Sequence, residues 1–340
     1  MLYFRNDYGA GAHPAVLEAL CGTNMELTPG YGTDKYTRQA EETVRALCGQ
    51  PDAAVHFLMG GTQVNKTAIA AFLRPYEAVL AAGSGHICVH EAGAVEQDGH
   101  AVLRLPAPDG KLTPELLRSA MAGPVNEHTV VPRLAYISNT TELGTVYTRS
   151  ELLALRRCCD ELGLYLYCDG ARLGSAMDAG GTDFADYGAC CHAFTIGGTK
   201  NGLLLGEALV IVEPALRPGF RNCMKQQGAM LAKGRLLGVQ FEAVLRDGLY
   251  LSLAAHANAQ AKRLAAGLER LGVPLLAPAV SNQVFPILPD GAVEALGRRV
   301  EFEVERGMDG GRTCIRFVTA WHTPPEDVDA LLALMEDLLK

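Results

Sequence analysis

Strand-like apolar runs alternate with amphipathic helical patterns through the first two thirds of this chain, and that rhythm constrains the fold more than any other feature. The runs are Val55–Leu58, Ala78–Ala82, Val102–Leu105, Leu134–Ser138, Leu164–Cys168, Ala193–Ile196 and Ala208–Val212. The helical patterns include Tyr36–Cys48, Val64–Leu73 and Ser150–Leu162, the last opened by the capping pattern Thr148-Arg-Ser-Glu151. Alternation at this pitch builds an α/β fold, a mostly parallel central sheet sandwiched by helices. Ligands of such sheets sit beyond the carboxyl ends of the strands. After about Pro214 the pattern changes. Gly228–Gly248 reads as one long helix and Leu251–Leu271 as another. Proline-punctuated strands follow at Gln283–Ile287, Glu301–Glu305 and Cys314–Thr319, and a helix runs from Pro325 to Leu339. The expected organisation is an N-terminal arm and large α/β domain over residues 1–248, with a small C-terminal α+β domain over 249–340.

Charge and composition narrow the partners. The chain carries a net charge of −8 and is 49% hydrophobic and 20% charged, a globular composition. Its pI near 5.6 argues against nucleic acid or an anionic membrane as the main partner. No apolar stretch approaches the length that crosses a bilayer, and the start Met-Leu-Tyr-Phe-Arg-Asn-Asp shows no signal-peptide pattern. The ten cysteines include no C-x-x-C spacing, and two pairs are adjacent, Cys158-Cys159 and Cys190-Cys191. They read as reduced, mostly buried thiols of a cytoplasmic protein.

Two strand ends carry the chemistry. Leu164-Tyr-Leu-Tyr-Cys-Asp169-Gly-Ala-Arg172 ends an apolar run in a carboxylate followed by an arginine. Phe194-Thr-Ile-Gly-Gly-Thr-Lys200 ends the next in a small-residue turn bearing a lysine. Singly, Asp169 reads as a turn former or cap and Lys200 as a loop lysine. Together they are what pyridoxal 5′-phosphate (PLP) chemistry needs: an amine to take the aldehyde as a Schiff base, and a carboxylate to pair with the pyridinium nitrogen.

Other strand ends add candidates. Met59-Gly60-Gly61-Thr62 follows the Val55–Leu58 run and opens a helix, so Gly60, Gly61 and Thr62 form either a phosphate cradle or an ordinary turn capped by Thr62. His86, past the Ala78–Ala82 run, is placed to stack flat on a pyridine ring or to lie half-buried. His90 and Glu91 read as supporting groups or helix surface. In Asn139-Thr-Thr-Glu142, Asn139 could bond the ring's O3′ and Thr141 or Glu142 could face the substrate; the bland alternative is a polar turn. Arg316, inside the apolar run Cys314–Thr319, needs an anion: an amino-acid carboxylate or a structural acid.

Taken together, these residues resemble the threonine aldolase and β-eliminating lyase family of fold-type I PLP enzymes, over nearly the whole chain from Arg5-Asn6-Asp7 to Arg316-Phe-Val-Thr319. Gly61-Thr62-Gln63, His86 with Glu91-Ala-Gly93, Asp169-Gly-Ala-Arg172, the Lys200 loop and Tyr31-Gly32 carry the likeness. The resemblance implies that Lys200 holds PLP, Asp169 pairs with its ring nitrogen and His86 stacks on the ring. Gly61, Thr62 and Thr199 would bind the phosphate, and Asn6, Arg172 and Arg316 the substrate carboxylate. It also implies a homodimer or homotetramer with sites at the subunit boundary, where Lys225 would reach a neighbour's phosphate. The implied reaction is aldol cleavage of a β-hydroxy-α-amino acid to glycine and an aldehyde; the related alternative is β-elimination to ammonia and a keto acid. One departure stands out. Where L-threonine aldolases carry a second histidine, this chain reads Asn139-Thr-Thr-Glu142-Leu-Gly144, leaving Glu142, Thr141 through a water, or His90 to assist at the β-hydroxyl.

Overall fold

The computed structural model describes residues 1–123 and 126–339. Seven strands form the central sheet: β1 (Ala54–Leu58), β2 (Glu77–Ala82), β3 (Val102–Leu105), β4 (Val131–Ser138), β5 (Tyr165–Asp169), β6 (Ala193–Gly197) and β7 (Glu207–Ile211). Their spatial order is β1-β7-β6-β5-β4-β2-β3. β7 runs antiparallel to both neighbours, and the other six run one way.

Alternate side chains of these strands enter two separate cores, as a sheet covered on both faces requires. Val55, Phe57, Ala135, Ile137, Leu166, Cys168, Phe194 and Val210 pack toward the helices Lys35–Leu47, Arg149–Leu162, Leu173–Gly180 and Arg235–Leu245. Leu58, Val79, Leu134, Tyr136, Tyr167, Leu209 and Ile211 pack toward the helices Gly61–Phe72 and Phe220–Gln226. The capping box expected at residues 148–151 is formed: the Thr148 side chain accepts from the Glu151 N–H and the Glu151 carboxylate from the Thr148 N–H. All ten cysteines are free; Cys21 is exposed, Cys223 half-buried and the rest buried.

A third core joins residues distant in sequence. Phe4 packs with Leu264, Leu268, Val284, Leu288, Ile315, Phe317, Val328 and Leu331. Leu2–Tyr3 pairs in parallel with Val300–Glu301. Arg312–Val318 pairs antiparallel with Ile287–Pro289, Glu303–Met308 and Gln283–Val284. The expected strand Gln283–Ile287 is thus two short ones, interrupted at Phe285-Pro286, where proline has no N–H to donate. Glu301–Glu305 likewise divides between two sheets.

The expected helix Gly228–Gly248 begins only at Arg235. Gly228, at φ +68°, follows the end of the Phe220–Gln226 helix. Residues 229–234 then lie against the Gly30–Gly32 turn. The Tyr31 N–H donates to the Ala232 carbonyl at 3.1 Å, and a Cβ on Gly234 would sit 2.6 Å from the Gly32 nitrogen. Tertiary contact, not local propensity, sets this segment. The second long helix runs Leu249–Arg270.

Candidate active site

Carboxyl ends of the strands deliver residues from many parts of the chain into one cleft of about 370 Å³. Asn6, Tyr8, Gly60, Gly61, Thr62, His86, His90, Glu142, Asp169, Arg172, Thr199, Lys200, Glu207 and Arg316 line it. Of the sixteen candidates named from sequence, these include twelve; Glu91, Asn139, Thr141 and Lys225 lie elsewhere.

The end of β5 is built around Asp169. Its Oδ2 accepts from Asn65 Nδ2 at 2.8 Å and Tyr136 Oη at 2.7 Å, and its Oδ1 from the Ala171 N–H at 2.9 Å. Burial alone would raise its pKa. The nearby His86 charge and the donors Asn65, Tyr136 and Ala171 N–H outweigh that and hold it below the ordinary carboxylate value. Asn65 is held in turn by Tyr167 Oη, which donates to its Oδ1 at 2.9 Å. Its amide also reaches Glu91 Oε1 at 2.8 Å, and the same oxygen lies 2.7 Å from His86 Nδ1. Glu91 is therefore a buried partner of His86, not helix surface. Burial opposes the His86 charge, but the Glu91 hydrogen bond and the Glu142 and Asp169 charges raise its pKa on balance.

Lys200 sits in the turn after β6. Burial, then the Arg172 charge, lowers its amine pKa against the opposing pull of Asp7, Glu142 and Asp169. A lysine so placed is more readily neutral and nucleophilic. Arg172 is gripped by Asp7: Nε to Oδ2 at 2.7 Å and Nη2 to Oδ1 at 3.1 Å, the side chains 8% and 1% exposed. Asp7 also accepts from Asn282 Nδ2 at 2.9 Å. Arg316 Nε lies 3.3 Å from Glu305 Oε1 in an ion pair whose geometry leaves the Nε–H without a hydrogen bond.

At Gly60–Thr62 the Gly61–Phe72 helix starts with no side-chain cap on its N-terminal N–H groups. A Cβ added at Gly60 or Gly61 would meet no atom within 4 Å. Glycine is not required there by the chain's own packing, and the uncapped N–H groups suit a bound anion.

Asn139 does not reach the cleft. It is fully buried; its Oδ1 accepts from the Tyr147 N–H at 3.1 Å and its Nδ2 donates to Tyr187 Oη at 2.7 Å. Its Nδ2 also donates to the Tyr147 carbonyl at 3.4 Å, so both amide N–H groups serve to fix the loop and none is left for a ring oxygen. Thr141 is also turned away, its hydroxyl 2.7 Å from Thr145 Oγ1. Lys225 is exposed, its Nζ 4.7 Å from the Tyr31 ring centroid and outside the cleft. Asn6 lines the cleft but donates to Tyr3 Oη at 2.8 Å and accepts from the Tyr8 N–H. Sequence reasoning assigned nothing to Asp7, Asn65, Tyr136 or Glu207. Asn65, Tyr136 and Glu207 carry one local signal, a polar group beside or within a run that otherwise reads as buried; Asp7 carries none.

The chain belongs to the beta-eliminating lyase family, whose model its residues 4–290 match. Its relatives include threonine aldolases. It is 33% identical to the low specificity L-threonine aldolase of Pseudomonas aeruginosa, over 98% of this chain and 96% of that one. A Leishmania major threonine aldolase structure superposes with TM-score 0.98 at 42% identity, covering both chains fully. A Thermus thermophilus aspartate aminotransferase matches with TM-score 0.72 at 16% identity, covering 99% of this chain and 91% of that one, and shares the fold. The fold-type I expectation is met.

Proposed function

We propose that this protein is a PLP-dependent lyase that cleaves L-threonine, L-allo-threonine or a related β-hydroxy-α-amino acid to glycine and an aldehyde. One observation carries the reading: a half-buried lysine, a buried carboxylate held by three donors and an uncapped helix N-terminus converge on one cleft. The donor set fits the cofactor. The Gly60–Thr62 helix end with Thr199 takes the phosphate, Lys200 the aldehyde, Asp169 the ring N–H, and His86 the ring face. When bound, PLP supplies an electron sink for the pair released at Cα as the Cα–Cβ bond breaks.

The chain's own groups do the rest. Arg172, aimed by Asp7, and Arg316 hold the substrate carboxylate with Asn6, which fixes the amino acid's orientation. Asp169 stays ionised through its three donors and so keeps the ring nitrogen protonated. His90 and Glu142 line the cleft and are the groups available to take the hydroxyl proton, whereas Thr141 is committed to its loop. No described helix is long and apolar enough to cross a membrane. A cytoplasmic homodimer or homotetramer, with Lys225 serving a neighbour's phosphate and a domain division at 248/249, completes the proposal.

Product analysis tests it. PLP-loaded protein incubated with L-threonine and L-allo-threonine is expected to yield glycine and acetaldehyde. Formation of 2-oxobutanoate and ammonia instead would move the chain to β-elimination.

A further inference from the structure

One acidic residue in the cleft has no task in the reaction described above. Glu207 opens β7, the strand that runs against the rest of the sheet. Its register places it opposite Leu58 on one side and Gly197 on the other. Those are the strand ends from which the Gly60–Thr62 cradle and the Lys200 turn depart. Glu207 therefore stands between the two parts of the site that would hold an anion and an amine. It is 3% exposed, and its Oε2 is buried without a hydrogen-bond partner among the described residues.

We propose, resting on the PLP reading, that Glu207 is a positioning residue that acts through Lys200: a buried carboxyl that, alongside Arg172, Asp7, Glu142 and Asp169, adjusts the proton affinity of the Lys200 nitrogen. Every other strand position in the apolar run Ala208-Leu-Val-Ile211 carries a side chain that packs into the cores. A carboxyl at such a place is costly unless it has a polar role. The groups facing it are Lys200 from the β6 turn, Asp169 and Tyr167 from β5, Tyr250 from the Leu249–Arg270 helix, and the Thr199 hydroxyl and Gly198 peptide. Lys200 is the one cation among them. Burial raises the Glu207 pKa to about 8, against the lowering pull of Lys200. A neutral acid at pH 7 can lie near a phosphate without repelling it, and its ionisation at higher pH favours a proton on the lysine nitrogen. The two groups share protons as a coupled pair.

The test uses the PLP-loaded holoenzyme and its visible absorption band, titrated with pH in the absence of substrate. Glu207→Gln keeps the size and the neutral form but cannot ionise, so it removes the charge that Glu207 gains above about pH 8. The band's titration midpoint is expected to fall by about one pH unit, a tenfold loss of proton affinity. Glu207→Asp retains a carboxyl and is expected to bring the midpoint back toward wild type. An unchanged midpoint in Glu207→Gln, with the cofactor still bound, overturns the proposal and leaves the lyase reading standing. Should Glu207→Gln fail to fold, the wild-type infrared spectrum decides. It is expected to contain a protonated-carboxyl C=O band at neutral pH that disappears around pH 8; a spectrum lacking that band overturns the proposal. Wild-type protein that takes up no PLP overturns both readings.

Discussion

Replacing Asp7 by asparagine keeps the shape of the side chain and removes the charge that Arg172 was folded against. Both partners are almost wholly buried and their bonding is bidentate at 2.7 and 3.1 Å. Removing one member of such a buried pair leaves a guanidinium without its partner, which costs about 3–5 kcal/mol. Unfolding entropy of roughly 2.1 cal/mol/K per residue gives ~0.7 kcal/mol/K for a chain of this length. Asp7→Asn should therefore lower Tm by about 4–7 °C. Glu294→Gln supplies the control, because Glu294 and its partner Arg298 are 78% and 75% exposed; it should move Tm by about 1 °C or less. Circular dichroism melts at matched protein and cofactor concentrations measure both. The acid limb gives a second readout. The folded Asp7 pKa lies below its ordinary value; burial opposes this, but the Arg172 and Lys200 charges and the Arg172 and Asn282 hydrogen bonds prevail. Its contribution is thus fully present above the unfolded value near pH ~4 and is lost as pH falls through the folded value. The Tm gap between wild type and Asp7→Asn should be constant from pH 5 to 7 and close below about pH 4. A Tm loss no larger than that of the exposed control would refute the reasoning.

Asn65→Leu strips donors from both Asp169 and Glu91. Hydrogen bonds to charged groups contribute roughly 1.5–3 kcal/mol each, so both Tm and PLP affinity should fall, the latter by equilibrium dialysis. Unchanged PLP affinity would argue against the Asp169 role. Gly61→Ala places a methyl where no protein atom lies within 4 Å. The cofactor-free Tm should hold within about 1 °C while PLP affinity falls at least about tenfold (about 1.4 kcal/mol). Undiminished affinity would show that the helix end is not the phosphate cradle.

Legibility followed the range of the forces involved. The central strands were readable to within a few residues because period-two burial on both faces leaves long apolar runs between helical patterns. The segment after Gly228 misled because its Ala, Met and Leu residues suit a helix, while its conformation depends on a turn almost 200 positions earlier. Lys200, Asp169 and Arg172 were legible because each breaks an apolar run at a strand end. Asn139 shares that position, yet Tyr147 and Tyr187 claim its amide, and no sequence spacing announces such a partnership. Asp7 was invisible for a related reason: its meaning comes from Arg172, 165 residues away.

The contacts of the amino-terminal segment set an order on biosynthesis. Leu2 and Tyr3 find their strand partners at Val300 and Glu301, and Arg5 meets Glu303, 298 residues on. At about 5–20 residues per second, those partners emerge from a ribosome roughly 15–60 s after the segment that needs them. Over that interval Phe4 has no core to enter. Asp7, just downstream, cannot complete its contacts until Asn282 has also been made, and Arg316, which lines the cleft, comes later still. A nascent chain therefore carries the lysine and the carboxylate long before it can present a finished cleft. Completion of the cleft is among the last steps in the making of the molecule.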